Sequence, residues 1–182
     1  MRRANTCSNI LSDLRRNLLS VPGSTGDALP TSRHPMSRIV QTGDTPAKRR
    51  QRHERAAASA LERLARKADL ADAEASDLAA FLAHHLRGLF DTLDESAHAW
   101  DERGYFRKAE ALRHEWRWAK RTADGLENAL VDRRFDTVGA LLAEVAPHLV
   151  GVHVPANAAV DEDRYVGAYR ALLKRRAVEA TG

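Results

Sequence analysis

Residues 77–131 read DLAAFLAHHLRGLFDTLDESAHAWDERGYFRKAEALRHEWRWAKRTADGLENALV. Leu82, Leu86, Leu89, Leu93, Ser96 and Trp100 recur at spacings of 4, 3, 4, 3 and 4. Ala109, Leu112, Trp116, Ala119, Ala123, Leu126 and Leu130 follow at 3, 4, 3, 4, 3 and 4. Both are heptad stripes, in which small and apolar side chains return to one line of a helix and let it share a narrow seam with a partner. Asp101-Glu102-Arg103-Gly104 interrupts the pattern, and Gly104 can take the left-handed backbone that closes a helix. The stretch therefore predicts two long helices folded back on each other as an antiparallel hairpin.

Upstream of the hairpin, Thr45-Pro46 predicts a helix start, with Thr45 as N-cap and Pro46 at a position whose missing N–H costs nothing. This helix is expected to run to about Lys67, with Ala57, Ala60, Leu61, Leu64 and Ala68 as a thin face suited to close packing. The linker 69–72 is short, and Asp72 is the expected cap of the next helix. Downstream, a helix is predicted from about Asp136 to Pro147, burying Val138, Leu141, Leu142 and Val145, with Phe135 stapled to Ala140. Residues 151–155 read as linker. A last helix is predicted from Asp161, with Val160 and Tyr165 at staple spacing, an acidic first turn and a basic last turn of Lys174, Arg175 and Arg176.

Gly104-Tyr105-Phe106-Arg107-Lys108-Ala109 resembles the turn of a tetratricopeptide hairpin, where a glycine, an aromatic residue and an alanine recur at that spacing. Arg133-Arg134-Phe135-Asp136-Thr137-Val138 repeats the layout more loosely, 29 residues on. The other small and aromatic positions of that family's roughly 34-residue period are absent. The resemblance implies a recurring way to turn between helices and carries no function.

With no convincing strand, the expected fold is all-α: a bundle of about five helices over residues 45–182, behind a disordered basic arm over residues 1–44. Within the arm, Ile10–Leu19 holds enough apolar residues for a short amphipathic turn or two, and Met36 offers an alternative start. At 182 residues and 43% hydrophobic, the chain is long enough for a proper core. No apolar run approaches the roughly 18 residues of a membrane span. Cys7 stands alone, which excludes an intramolecular disulfide and a cysteine zinc cluster, and a cytoplasmic location is expected. The net charge of +4 is unevenly spread. Residues 1–67 carry +9 and residues 68–182 carry −5, so the basic character belongs to the N-terminal third.

Phosphate-loop, dinucleotide, zinc-protease and nucleophile-elbow motifs do not occur, and neither catalytic residue nor cofactor is predicted. Glu95-x-x-His98 has the spacing of a di-iron ligand pair, but it lacks a second copy and falls opposite the leucine seam, so no metal site is predicted. Asp94 and His98 are expected to form a surface ion pair instead. His85 lies within the apolar stripe and is expected to be a hydrogen-bonded core histidine.

Two surfaces remain as candidate interaction sites. Arg113, Arg117 and Arg121 form an i, i+4 row with Lys120 alongside and Trp118 beside it, which suits either a protein interface (a partner or self-association) or stacking against nucleic acid. The alternative for Trp118 is packing beneath the first or last helix. Lys48, Arg49, Arg50, Arg52 and Arg55 give the first helix (48–67) the electrostatic footprint of phosphate-backbone binding. A non-enzymatic helical interaction or structural protein is the leading expectation, and nucleic-acid binding through the basic helix and arm is the alternative.

Overall fold

A computed structural model describes residues 44–155 and 162–181. The arm apart from Asp44, with Ile10–Leu19 and Met36, lies outside the described residues, as do Val160 and Asp161. The described elements are α1 (Pro46–Leu64), α2 (Ala73–Asp101), α3 (Phe106–Val131), α4 (Phe135–Leu149), the single turn α5 (Glu162–Tyr165) and α6 (Ala168–Glu179). There is no strand among the described residues, and the fold is an all-α bundle built on the α2–α3 hairpin.

Lys48 N–H donates to Thr45 Oγ1 at 3.3 Å, and Glu74 N–H to Asp72 Oδ1 at 3.2 Å, so both expected caps form. α1 ends at Leu64, earlier than Lys67, and Ala68 is exposed in the connection rather than on the packing face. Ala57, Ala58, Ala60 and Leu64 of α1 are buried, as are Ala75, Ala79, Ala80 and Ala83 of α2. Small side chains on both helices let their backbones approach closely. Ion pairs fix the register: Arg49 with Glu95 at one end of α1, and Lys67 with Glu74 just past the other, so α1 and α2 are antiparallel.

The hairpin seam is buried where expected at Leu82, Leu86, Leu89 and Leu93, and at Ala109, Ala119, Ala123, Leu126 and Leu130. Ser96, Trp100, Leu112 and Trp116, nearer the tip, are half-buried. Most buried residues form one core shared by α1–α6, while Leu89, Leu93 and Ala119 form a second cluster with Phe90, Leu112, Trp116 and Trp118.

The two echoing turns have the same geometry. Gly104 (φ 78°) and Arg133 (φ 55°) are both left-handed, each two residues before the phenylalanine that starts the next helix. Tyr105 N–H donates to the Trp100 carbonyl at 2.9 Å, and Arg134 N–H to the Ala129 carbonyl at 2.8 Å, the six-to-one bond that closes a helix over a left-handed residue. Left-handed backbone strains a residue with a Cβ by about 1–2 kcal/mol. Arg133→Gly is therefore expected to raise unfolding free energy by about 0.5–1 kcal/mol after the entropy glycine adds to the unfolded chain. A lowered denaturant midpoint would show instead that the Arg133 side chain holds the turn.

Besides the end of α1, three further helix boundaries differ from expectation. α4 starts at Phe135, which packs on the main core while Ala140 is exposed, so no staple joins them. It also runs through Pro147 to the buried Leu149: the bond that Pro147 cannot donate would go to Ala143, whose exposed position leaves water to replace it. The expected last helix is split into α5 and α6 at Gly167 (φ 85°). Asp77 of α2 causes the break, because its carboxylate accepts from Gly167 N–H at 3.0 Å and Tyr169 N–H at 2.8 Å. A side chain some 90 residues away thus caps the start of α6.

Candidate functional site

His53 continues the packing face of α1, four residues before Ala57, and this brings it against α2 at Gly88. Because Gly88 has no side chain, the His53 ring lies directly on the α2 backbone, and its Nδ1 comes 2.9 Å from Nδ1 of His85. One ring must donate and the other accept, so the pair shares one proton between its Nδ1 atoms. Phe81 stands edge-on to His85 at 4.2 Å between centroids, and His84 lies 5.2 Å away. His85 is thus a hydrogen-bonded core histidine, as its place in the stripe implies.

Burial, with the neighbouring His53, His84 and Arg164, depresses His85 from 6.5 to about 3. Burial likewise lowers His53, helped by His84 and Arg52 and opposed by Asp91. Both rings are neutral at neutral pH. Their folded affinities for protons lie below the unfolded value, so the stability they confer is complete above about pH 6.5 and is lost as pH falls toward His85's value of about 3. Glu54, raised by its burial, acts in the opposite direction, whereas Asp72 and Glu74, lowered by Lys67, act only below the ordinary carboxylate range. Melting temperature is expected to fall between about pH 7 and about pH 5, with the slope flattened in His85→Gln. An unchanged slope in that variant would place the titration elsewhere.

The histidine pair forms one wall of a recess between α1, α2 and α5. Arg52, Arg55 and Ala56 line it from α1, Phe81 and His85 from α2, and Arg164 from α5, enclosing a cavity of about 560 Å³. Tyr165 places Arg164: it is 1% exposed, donates from Oη to Glu74 Oε1 at 3.0 Å, and has the Arg63 guanidinium over its ring. Beyond Phe81, His85 and Arg164 a second cavity of about 350 Å³ continues along Ala80, Ala168, Ala171 and Leu172. Glu127 and Arg175 reach this second cavity, but Glu127 is already engaged by Arg175 at 2.7 Å and Arg87 at 3.0 Å. Among the described residues no carboxylate lines the first cavity. Arg52 holds Asp44 through two bonds of 2.7 and 2.6 Å, while Arg55 has only the electrostatic pull of its neighbour Glu54, and neither Arg55 nor Arg164 forms an ion pair with a carboxylate among the described residues. The recess is a cationic hollow with an apolar floor.

The residues singled out from sequence lie elsewhere, apart from Arg52, Arg55 and His85. Arg113 ties the hairpin together, binding Asp94 at 2.6 Å and Asp101 at 2.7 Å. The expected Asp94–His98 pair is absent because Arg113 takes Asp94, and His98 faces Glu102 at 3.7 Å. Arg117 is exposed, 3.6 Å from Glu110, and Arg121 pairs with Glu144 of α4. Trp118 is half-buried beneath α4, its ring stacked on His148 at 4.0 Å and 7°. On α1, Arg49 binds Glu95 at 2.6 Å, Lys48 is exposed and Arg50 half-buried. Among the described residues no group of three or more His, Cys, Asp and Glu side chains is arranged to hold a metal ion.

His53, His84 and Arg164 were not singled out from sequence. The available signal was the line His53, Ala57, Ala60, Leu64, spaced 4, 3 and 4, which carries the histidine onto the α1–α2 interface. Gly88 marks the opposite side: an added Cβ would sit 2.3 Å from His53 Cε1. Glycine to alanine inside a helix ordinarily stabilises by about 1 kcal/mol. Gly88→Ala is expected to reverse that sign by pushing the ring off α2 and breaking the His53–His85 bond. The imidazole resonances of both histidines would move together, and a more stable protein with unchanged resonances would refute the contact.

Comparisons of the chain with protein-family models, with curated proteins and with solved structures returned no match.

Proposed function

We propose that the chain is a non-enzymatic helical binding protein and that the histidine- and arginine-lined recess is its binding site. The observation that carries this is the convergence of Arg55, Arg164, His53 and His85, with Arg52 held by Asp44 beside them, on a cavity that no carboxylate of the described residues lines. Elsewhere on the surface, cations that looked available in sequence are tied to carboxylates of the same fold, as Arg49, Arg113 and Arg121 are. Binding is favoured over catalysis because a general acid or base works best with a proton affinity near the operating pH, and burial holds His85 far below it.

Phosphate-backbone binding needs a row of unengaged cations tracking a polymer. On α1 the engagement of Arg49 and Arg52 leaves Lys48, Arg50 and Arg55, which suits a compact ligand better than a strand. Nor does any helix among the described residues have the length and apolarity to cross a membrane.

The test follows the Cε1–H resonances of His53, His84 and His85 while anionic, neutral and cationic small molecules are added in turn. Saturable movement of the His53 and His85 signals with any of them supports the recess as the site. Silence throughout, with a protein partner captured by wild type and released by Trp118→Ala, would return the function to the α3 row.

A further inference from the structure

We infer, resting on the recess as the binding site, that its ligand is an amphipathic organic oxyanion: a carboxylate or phosphate head joined to a short apolar body. The first cavity supplies the head's partners. Arg55 enters from α1 and Arg164 from α5, neither in an ion pair with a carboxylate among the described residues, although Glu54 acts on Arg55 through space, and Arg52 stands beside them, held by the exposed Asp44. Guanidinium groups from two elements can grip one oxyanion from two sides, and each presents paired N–H donors that match two oxygens.

A metal cation would meet the opposite field, since the two facing Nδ1 atoms are already joined and the surrounding charges are arginines. A neutral ligand would offer no counter-charge to the two guanidiniums that line the hollow, Arg55 half-buried and Arg164 exposed. The second cavity shows what lies behind the head. It shares Phe81, His85 and Arg164 with the first as lining residues, and Ala80, Ala168, Ala171 and Leu172 offer it methyl groups and aliphatic surface. Its one carboxylate among the described residues, Glu127, is 2% exposed and held by two arginines, so an apolar chain entering there displaces water and takes no counter-charge from it. The two volumes, about 560 and 350 Å³, meet at Phe81, His85 and Arg164, which makes an elongated ligand the natural occupant. Its head would lie among the arginines and its body along α6.

The experiment titrates the full chain with hexanoate, hexyl phosphate, hexanol and inorganic phosphate, reading heat and the His53 and His85 resonances. Hexanoate or hexyl phosphate is expected to bind and to shift both histidines, and the tighter of the two identifies the head group. Arg55→Gln and Arg164→Gln should each weaken that binding by at least about tenfold, the effect of one charge-assisted hydrogen bond. Arg117→Gln, on the exposed face of α3, should leave it unchanged, and melting curves of all three variants confirm folding. Hexanol binding as tightly as hexanoate would overturn the oxyanion while leaving the recess as the site. Inorganic phosphate binding as tightly as hexyl phosphate would overturn the apolar body. If no probe moves the histidines, and the arginine variants behave as wild type toward every anionic, neutral and cationic compound tried, the recess itself fails as a binding site.

Discussion

Glu127→Ala is expected to lower the unfolding free energy by about 3 kcal/mol, the lower end of the cost of breaking a buried ion pair. Glu127 is 2% exposed, yet it receives Arg87 from α2 and Arg175 from α6, at 3.0 and 2.7 Å. Removing it takes the shared counter-charge from two guanidiniums at once and cuts one of the polar links between the hairpin and the last helix. Arg87 and Arg175 are 31% and 40% exposed, so water can partly solvate them after the loss, which is why the lower end applies. Arg87 also keeps Asp124 at 2.7 Å. Urea denaturation of wild type and variant measures the difference. A loss below about 1 kcal/mol would show that the triad behaves as a surface pair.

Leu89→Ala should cost about 2–5 kcal/mol, because a fully buried leucine leaves both lost transfer energy and a cavity. Leu89 is 0% exposed in the smaller core with Leu93 and Ala119. Its neighbours there are large and rigid, Trp116, Trp118, Phe90 and Leu112, and they cannot easily collapse into the space. That puts the expected cost in the upper half of the range. Glu95→Ala, six residues along the same helix, removes only an exposed pair with Arg49 and should cost less than about 1 kcal/mol. Equal losses from the two changes would mean that the faces of α2 are wrongly assigned.

The hairpin was legible because two heptad lines, each unbroken over its helix, can satisfy one another only by lying side by side. Burial is incomplete at Ser96, Trp100, Leu112 and Trp116, where the spacing continues, although Ala109 beside the turn is fully buried. Periodicity states which face of a helix is apolar and is silent on which faces meet. His53 and His85 are 32 residues apart, and Arg87 and Glu127 are 40. No local pattern joins them, so the recess and the buried triad had no signature of their own. The arginine row was legible in a different way. Its i, i+4 spacing was real, but Asp94, Asp101 and Glu144 that engage it come from neighbouring helices. Pro147 misled for a third reason: a proline near the end of a helix removes one bond, and solvent at Ala143 can replace it.

The capping of α6 by Asp77 bears on the order in which the protein assembles and comes apart. A helix of twelve residues is marginal in water by itself. Only Leu172 of α6 is buried, so little apolar burial makes up the difference. Its first free N–H groups find an acceptor only once α2 has formed and roughly 90 residues of chain have closed into a loop. α6 is thus a late-docking segment whose helicity is borrowed from α2. In native-state hydrogen exchange its amides would open well below the free energy of global unfolding, while those of α2 would be among the last to exchange. Since α6 and the α5 turn flank the second cavity and Arg164, that low-energy opening would also unlatch the recess, giving a ligand a way in without unfolding the hairpin.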